Sequence, residues 1–124
     1  GAAVRVATYN VLSSHLCEPE YFAHCDPADL HPPTRLERVQ ALLGSEMDRG
    51  AIVALQEVSM LWAGPLHTLF ASRGYHFAQH LYGGRRNGYM GVGLAVPDAK
   101  YEVLDTVIDR LSDTKRWPRA PPPP

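Results

Sequence analysis

An α/β (α+β) fold is predicted by three stretches of this chain taken together. Val4–Tyr9 sets β-branched residues at alternate positions, the pattern of a strand. Leu36, Val39, Leu43 and Met47 recur at helical spacing, with Leu42 beside them. Ala51-Ile52-Val53-Ala54-Leu55 is a short apolar run that reads as a buried strand. A strand, a crossover helix and a second strand make a βαβ unit, in which the strands are parallel and the connection right-handed. The residues that close the two strands, Asn10 and Glu57, are thereby expected at one carboxyl edge of one sheet, where ligands of α/β sheets gather.

The elements follow in order. Residues 13–33 hold four prolines, both cysteines and several acids with no sustained period, so a long irregular excursion is expected there, pinned to the body by Tyr21 and Phe22. Loops of this length inside compact domains tend to be functional. Thr34-x-x-Glu37 reads as a capping box that starts the helix at Arg35, and Gly50 supplies its stop. Pro65 fits the first turn of another helix, with Leu66, Leu69 and Phe70 on its inner face and Gly74 at its end. Tyr75–Ala78 is a short strand. Gly83–Gly88 is a turn-rich basic loop. Gly91–Val96 is a strand whose glycines imply close backbone approach. Pro97-Asp98 turns the chain, and Tyr101–Arg110 is expected as a further strand. No internal repeat is visible.

Composition excludes several classes of protein. The 124 residues make one domain at most, and a net charge of −1 gives no whole-chain bias toward nucleic acid or membrane. Any phosphate-binding surface must therefore be local. No apolar stretch is long enough to span a bilayer. Cys17 and Cys25 lack a metal-ligand spacing and read as free thiols, which fits a reducing, intracellular compartment. His15, His24, His31, His67, His76 and His80 show no ligand spacing either. Residue 1 is glycine, and the chain closes on Ala120 and four prolines, a run that reads as a linker or a cut end over 120–124. The expectation is a segment of a longer protein.

Two residues carry the candidate chemistry. A buried strand rarely delivers a carboxylate, because an unpaired buried charge is costly. An amide and a carboxylate ending neighbouring strands can hold a divalent cation and a phosphate oxygen. The bland alternatives are a surface or N-cap acid for Glu57 and a strand-end turn residue for Asn10. Arg85, Arg86 and Asn87 either grip a substrate backbone, since arginine binds phosphate bidentately, or form a solvated loop tip. Lys115, Arg116, Trp117 and Arg119 either stack on a base or dock as a tail on their own domain. Asp105, Asp109 and Asp113 read as a solvated face.

Four stretches in this order resemble a known family: TYNVLSS (8–14), TRLERVQALL (34–43), AIVALQEVS (51–59) and NGYMGVGLAVP (87–97). The chain resembles the amino-terminal half of an endonuclease/exonuclease/phosphatase (DNase-I-like) domain, of the deadenylase and nocturnin-like branch, over nearly all of residues 3–110. The resemblance implies half of a four-layer αββα sandwich, a mixed sheet with helices on one face, occupying residues 1–119. It implies Glu57 as the ligand of Mg²⁺ (or Mn²⁺), with Asn10 as the catalytic amide beside it. It implies a Mg²⁺-dependent phosphoesterase, a nuclease acting on RNA in the deadenylase manner. The family's later Asp-x-Asn and Asp-His pairs are not found; Ser112-Asp113-Thr114 has a threonine where the histidine belongs. The 124 residues alone are accordingly expected to be inactive. Their open sheet face is expected to meet the remainder of the domain or another subunit. The alternative is a non-catalytic structural or interaction subunit built on a nuclease-fold scaffold.

Overall fold

A computed structural model describes residues 3–110 of the chain. The basic cluster at Lys115–Arg119, the Ser112-Asp113-Thr114 stretch and the proline run lie outside the described residues. Four strands form one sheet: β1 (Val6–Asn10), β2 (Ile52–Val58), β3 (Tyr75–Leu81) and β4 (Gly91–Pro97), in the order β1-β2-β4-β3. β1 and β2 are parallel, with Val6 opposite Ile52 and Asn10 opposite Gln56. β4 runs antiparallel to both its neighbours, so the sheet is mixed, as expected.

Helix α1 (Pro32–Asp48) makes the crossover between β1 and β2, and α2 (Met60–Ser72) connects β2 to β3. Both cover the same sheet face. Val39, Leu43 and Met47 of α1 and Trp62, Leu66 and Phe70 of α2 are buried with Val53, Leu55, Tyr75, Phe77 and Ala95 of the sheet in one core. Leu42 points outward and is exposed. Phe70 stacks on Phe77 and Tyr75 at centroid distances of 4.7 and 5.8 Å. The Tyr75 hydroxyl donates to the Ala51 carbonyl at 2.8 Å, closing the end of the core remote from the strands' carboxyl edge.

Both helix starts differ from expectation. α1 begins at Pro32, three residues before Arg35, because Pro32 and Pro33 occupy its first two positions and need no amide partner there. His31 is the N-cap, and the Thr34 hydroxyl bonds the His31 ring rather than capping the helix. α2 begins at Met60, capped by the Ser59 side chain, which accepts from the Trp62 amide; Pro65 therefore lies inside the helix, not in its first turn. The stops are as read. Gly50 adopts φ 67° and Gly74 φ 72°. At Gly50 the paired bonds Gly50 N–H to Met47 O and Ala51 N–H to Glu46 O make a Schellman end.

Three further expectations are corrected. β2 runs three residues beyond its apolar run, and β3 extends to Leu81. Residues 101–110 carry no strand. Their apolar residues come as adjacent pairs, Val103-Leu104 and Val107-Ile108, and all four are exposed; a paired pattern cannot place one apolar face on a sheet, which needs alternation. In the excursion Tyr21 is 81% exposed and pins nothing, and Phe22 is half-buried; Cys17 and Leu30 are buried instead. Both cysteines are free, as read. The glycines of β4 do mark close approach: a Cβ at Gly91 would collide with the His80 carbonyl, and one at Gly93 with the Phe77 ring.

The other sheet face is open. Val6 is 62%, Leu94 50% and Val92 43% exposed there. Thr106–Asp109 borders a hollow of about 320 Å³ above Ala54, Ala78 and Leu94 without closing over the face.

Candidate active site

The parallel pairing of β1 and β2 brings Asn10 and Glu57 together at the carboxyl edge, and a β-bulge aims the carboxylate. Leu55 pairs with Gly93 but Val58 with Gly91, so β2 carries one extra residue at this point. In an unbroken strand Glu57 would share the core side with Val53 and Leu55. The extra residue gives that side to Val58, which is fully buried, and frees Glu57 to face Asn10. Glu57 takes φ 59° to do so. Bulges of this kind recur beside active sites, where they re-aim a side chain.

The Asn10 side-chain amide donates to Glu57 Oε1 at 2.9 Å. Its own oxygen accepts from the Leu12 amide at 3.0 Å, which settles which end of the amide faces the carboxylate. The Ser13 amide lies 3.4 Å from Glu57 Oε2. The buried Ser13 hydroxyl donates to the Asn87 carbonyl at 2.7 Å, tying the β1 exit to the loop before β4. The Met60 amide donates to the Gly88 carbonyl, which fastens the same loop to α2. Leu12 and Tyr89 take φ 53° and 54°; with Glu57 they are the three non-glycine residues at positive φ among the described residues, and all lie in the segments around this edge. Strained backbone concentrated at one place is a mark of a functional site.

The remaining candidates are placed as follows. Arg85 and Arg86 are exposed and make no ion pair among the described residues. They border different hollows. Arg85 faces one shared with Met60, Leu61 and Tyr89, and Arg86 one shared with Glu18, Tyr21 and Phe22; His15 lies between the two. Asn87 is engaged within its loop, its side chain accepting from the Met90 amide at 3.3 Å. Among the described residues no three His, Cys, Asp or Glu side chains converge as a metal cage. A single carboxylate at an open edge nevertheless fits Mg²⁺, which keeps several waters and takes one or two carboxylates plus substrate phosphate oxygens.

Two contributors to this edge were not singled out from sequence, Ser13 and Arg35. Ser13 carried no signal. Arg35 carried one: it is a cation in the first turn of a helix, where the helix dipole opposes it. It reaches the Val11 and Leu12 carbonyls at 2.6 and 2.9 Å.

A mixed α/β sheet with helices on one face, and a carboxylate–amide pair held at the carboxyl ends of two parallel strands, defines the class. The chain belongs to the Endonuclease/Exonuclease/phosphatase family, whose profile matches residues 7–123. No curated protein matches it. Its fold is similar to two crystal structures of ANGEL2, described as a 2′,3′-cyclic phosphatase, one of them in complex with adenosine-2′,3′-vanadate. In each case the TM-score is 0.64 and the sequences are 25% identical over 79% of this chain. The likeness covers 28% of the ANGEL2 chain, so the present chain spans well under half of that protein's length. The DNase-I-like resemblance read from the four motifs is thereby borne out. No helix among the described residues is long and apolar enough to cross a membrane.

Proposed function

We propose that the natural protein carrying this sequence is a divalent-metal-dependent phosphoesterase that acts on phosphate esters of RNA. The observation that carries the reading is the 2.9 Å bond between Asn10 and Glu57 across the ends of β1 and β2. Glu57 presents its carboxylate to Mg²⁺ or Mn²⁺, which when bound supplies charge neutralisation at the phosphate and an activated water. Asn10 has two amide hydrogens. One is committed to Glu57, and the other is available to a phosphate oxygen. Arg85 and Arg86, exposed on the adjoining loop, meet the flanking phosphates. Membership of the family supports hydrolysis of phosphate esters. The ANGEL2 complex with a ribonucleotide 2′,3′-vanadate supports a ribose phosphate as the reacting group.

The open sheet face belongs to the same reading. Val6, Val92 and Leu94 lie on it well exposed, and an apolar surface of this kind is normally covered. We assign its cover to further residues of the same domain, which also complete the catalytic set.

The test is hydrolysis of an oligoadenylate and of a nucleoside 2′,3′-cyclic phosphate by the natural protein with and without Mg²⁺, alongside Glu57→Gln. Metal-dependent cleavage that is lost in the variant, with the melting temperature kept, supports the reading. Absence of hydrolysis of either substrate by the wild type would favour a scaffold that retains the fold without the chemistry. Equal rates for wild type and variant at saturating metal would overturn the role of Glu57.

A further inference from the structure

The geometry points to Arg35 as the residue that positions the Asn10–Glu57 pair, acting through the backbone of residues 11–13. The inference rests on the phosphoesterase reading of that pair. Several features of the placement of Arg35 count against a purely stabilising role. It lies in the first turn of α1, against the positive end of the helix dipole. It makes no ion pair among the described residues. Its Nη1 is buried without a hydrogen-bond partner, a cost that native structures seldom carry without a reason. Its guanidinium carbon lies over the buried Trp62 ring, 4.9 Å from the centroid, which limits where the other nitrogen can point.

That other nitrogen, Nη2, donates to the Val11 carbonyl at 2.6 Å and the Leu12 carbonyl at 2.9 Å. These two peptide groups set the candidate site. Leu12 is held at φ 53°, and its amide donates to Asn10 Oδ1. The next amide, of Ser13, faces Glu57 Oε2 at 3.4 Å. A relaxation of Leu12 to an ordinary φ would swing its amide off Asn10 and carry the Ser13 amide away from Glu57. Asn10 would then lose the contact that holds its oxygen, and its amide would no longer be fixed in place against the carboxylate. Arg35 thus stores the orientation of a side chain it does not touch. It is a positioning residue, and it meets neither substrate nor metal.

The experiment compares the natural protein with Arg35→Ala and Arg35→Lys, with Glu57→Gln in parallel. Hydrolysis kinetics and amide hydrogen exchange at Leu12, Ser13, Val53 and Leu55 are measured for each. Arg35→Ala is expected to lower kcat about 100-fold with KM changed less than about threefold, the signature of lost positioning. Exchange at Leu12 and Ser13 should rise about tenfold while Val53 and Leu55 in the core stay protected. Added methylguanidinium should restore kcat at least about tenfold by refilling the vacated site. A merely structural role would instead loosen Val53 and Leu55 and would not respond to methylguanidinium. Should Arg35→Ala fail to fold, Arg35→Lys carries the same readouts, with kcat lowered about tenfold because an ammonium has no planar fork to lie on Trp62. Wild-type kcat in the lysine variant, or unchanged exchange at Leu12 and Ser13, overturns the inference. If Glu57→Gln is inactive while Arg35→Lys is fully active, only the role of Arg35 fails. If Glu57→Gln is fully active, the functional reading fails and takes the positioning role with it.

Discussion

Replacing Glu57 by glycine should leave the fold nearly as stable as before while removing activity. The structure sets the terms. Glu57 is held at φ 59°, which costs a non-glycine residue about 1–2 kcal/mol that glycine would not incur. Against this, glycine loosens the unfolded chain by about 0.4–1 kcal/mol. The variant also loses the 2.9 Å bond from Asn10 and the long 3.4 Å approach of the Ser13 amide. At a half-exposed edge where water can replace the carboxylate, that loss is about 1 kcal/mol. The sum lies within about 1 kcal/mol of zero, a melting shift of roughly 4 °C or less for a domain of this size. The rate, in contrast, should fall by about 10³-fold or more, since an inner metal ligand stabilises the transition state by several kcal/mol. The assay is a thermal melt of the natural protein and its variant beside metal-dependent hydrolysis. A destabilisation above about 3 kcal/mol would place Glu57 among residues that hold the edge together, and the bulge would then be structural. Retained hydrolysis would refute the chemical role.

Other perturbations test the frame around the site. Phe70→Ala, at the fully buried centre of the aromatic cluster, should destabilise by about 3–5 kcal/mol in a denaturant melt; a loss below about 1 kcal/mol would mean that the core is not packed as described. Arg5 and Glu46 pair at 2.8 Å on the surface. The Arg5 hydrogen bond holds the Glu46 carboxyl below its ordinary value of 4.5 and raises the Arg5 guanidinium above its own. A depressed acid contributes stability that is present above its unfolded value and lost as pH falls through the folded one. The melting difference between wild type and Glu46→Gln should therefore be constant from neutral pH down to about 5 and shrink below that. A difference that grew on acidification would contradict the pairing. The 124-residue chain expressed alone should bind a hydrophobic dye through the face of Val6, Val92 and Leu94; a dye-silent, cooperatively melting monomer would refute the need for a cover there.

What was legible in the sequence was local pattern plus one rule of handedness. Val4–Tyr9, the 3.6-residue period from Leu36 to Met47 and the apolar run before Gln56 were enough for the βαβ unit. The parallel connection then brought Asn10 and Glu57 to one edge, where the structure has them 2.9 Å apart. What was not legible depends on partners distant in sequence. The bulge at Glu57 exists only because Val58 pairs with Gly91, and no property of Gln56-Glu57-Val58 announces it. Thr34 matched a capping box, but two prolines just before it are better first-turn residues and took the start. Ser59 was available as a cap six residues before Pro65, and proline drew the reading away from it. The run at 101–110 has strand-forming residues without strand periodicity. Arg35 was read only as the opening of a helix, because its partners, the Val11 and Leu12 carbonyls, belong to backbone that sequence does not show.

The central claim, that Glu57 holds a divalent cation at the β1–β2 edge, is tested most directly by binding rather than by rate. Mn²⁺ is titrated into the natural protein and into Glu57→Gln, and the free ion is followed by its electron paramagnetic resonance signal. One site in the wild type, weakened at least about tenfold in the variant while the melt is unchanged, is the predicted result. Equal Mn²⁺ affinity in the two proteins would contradict it.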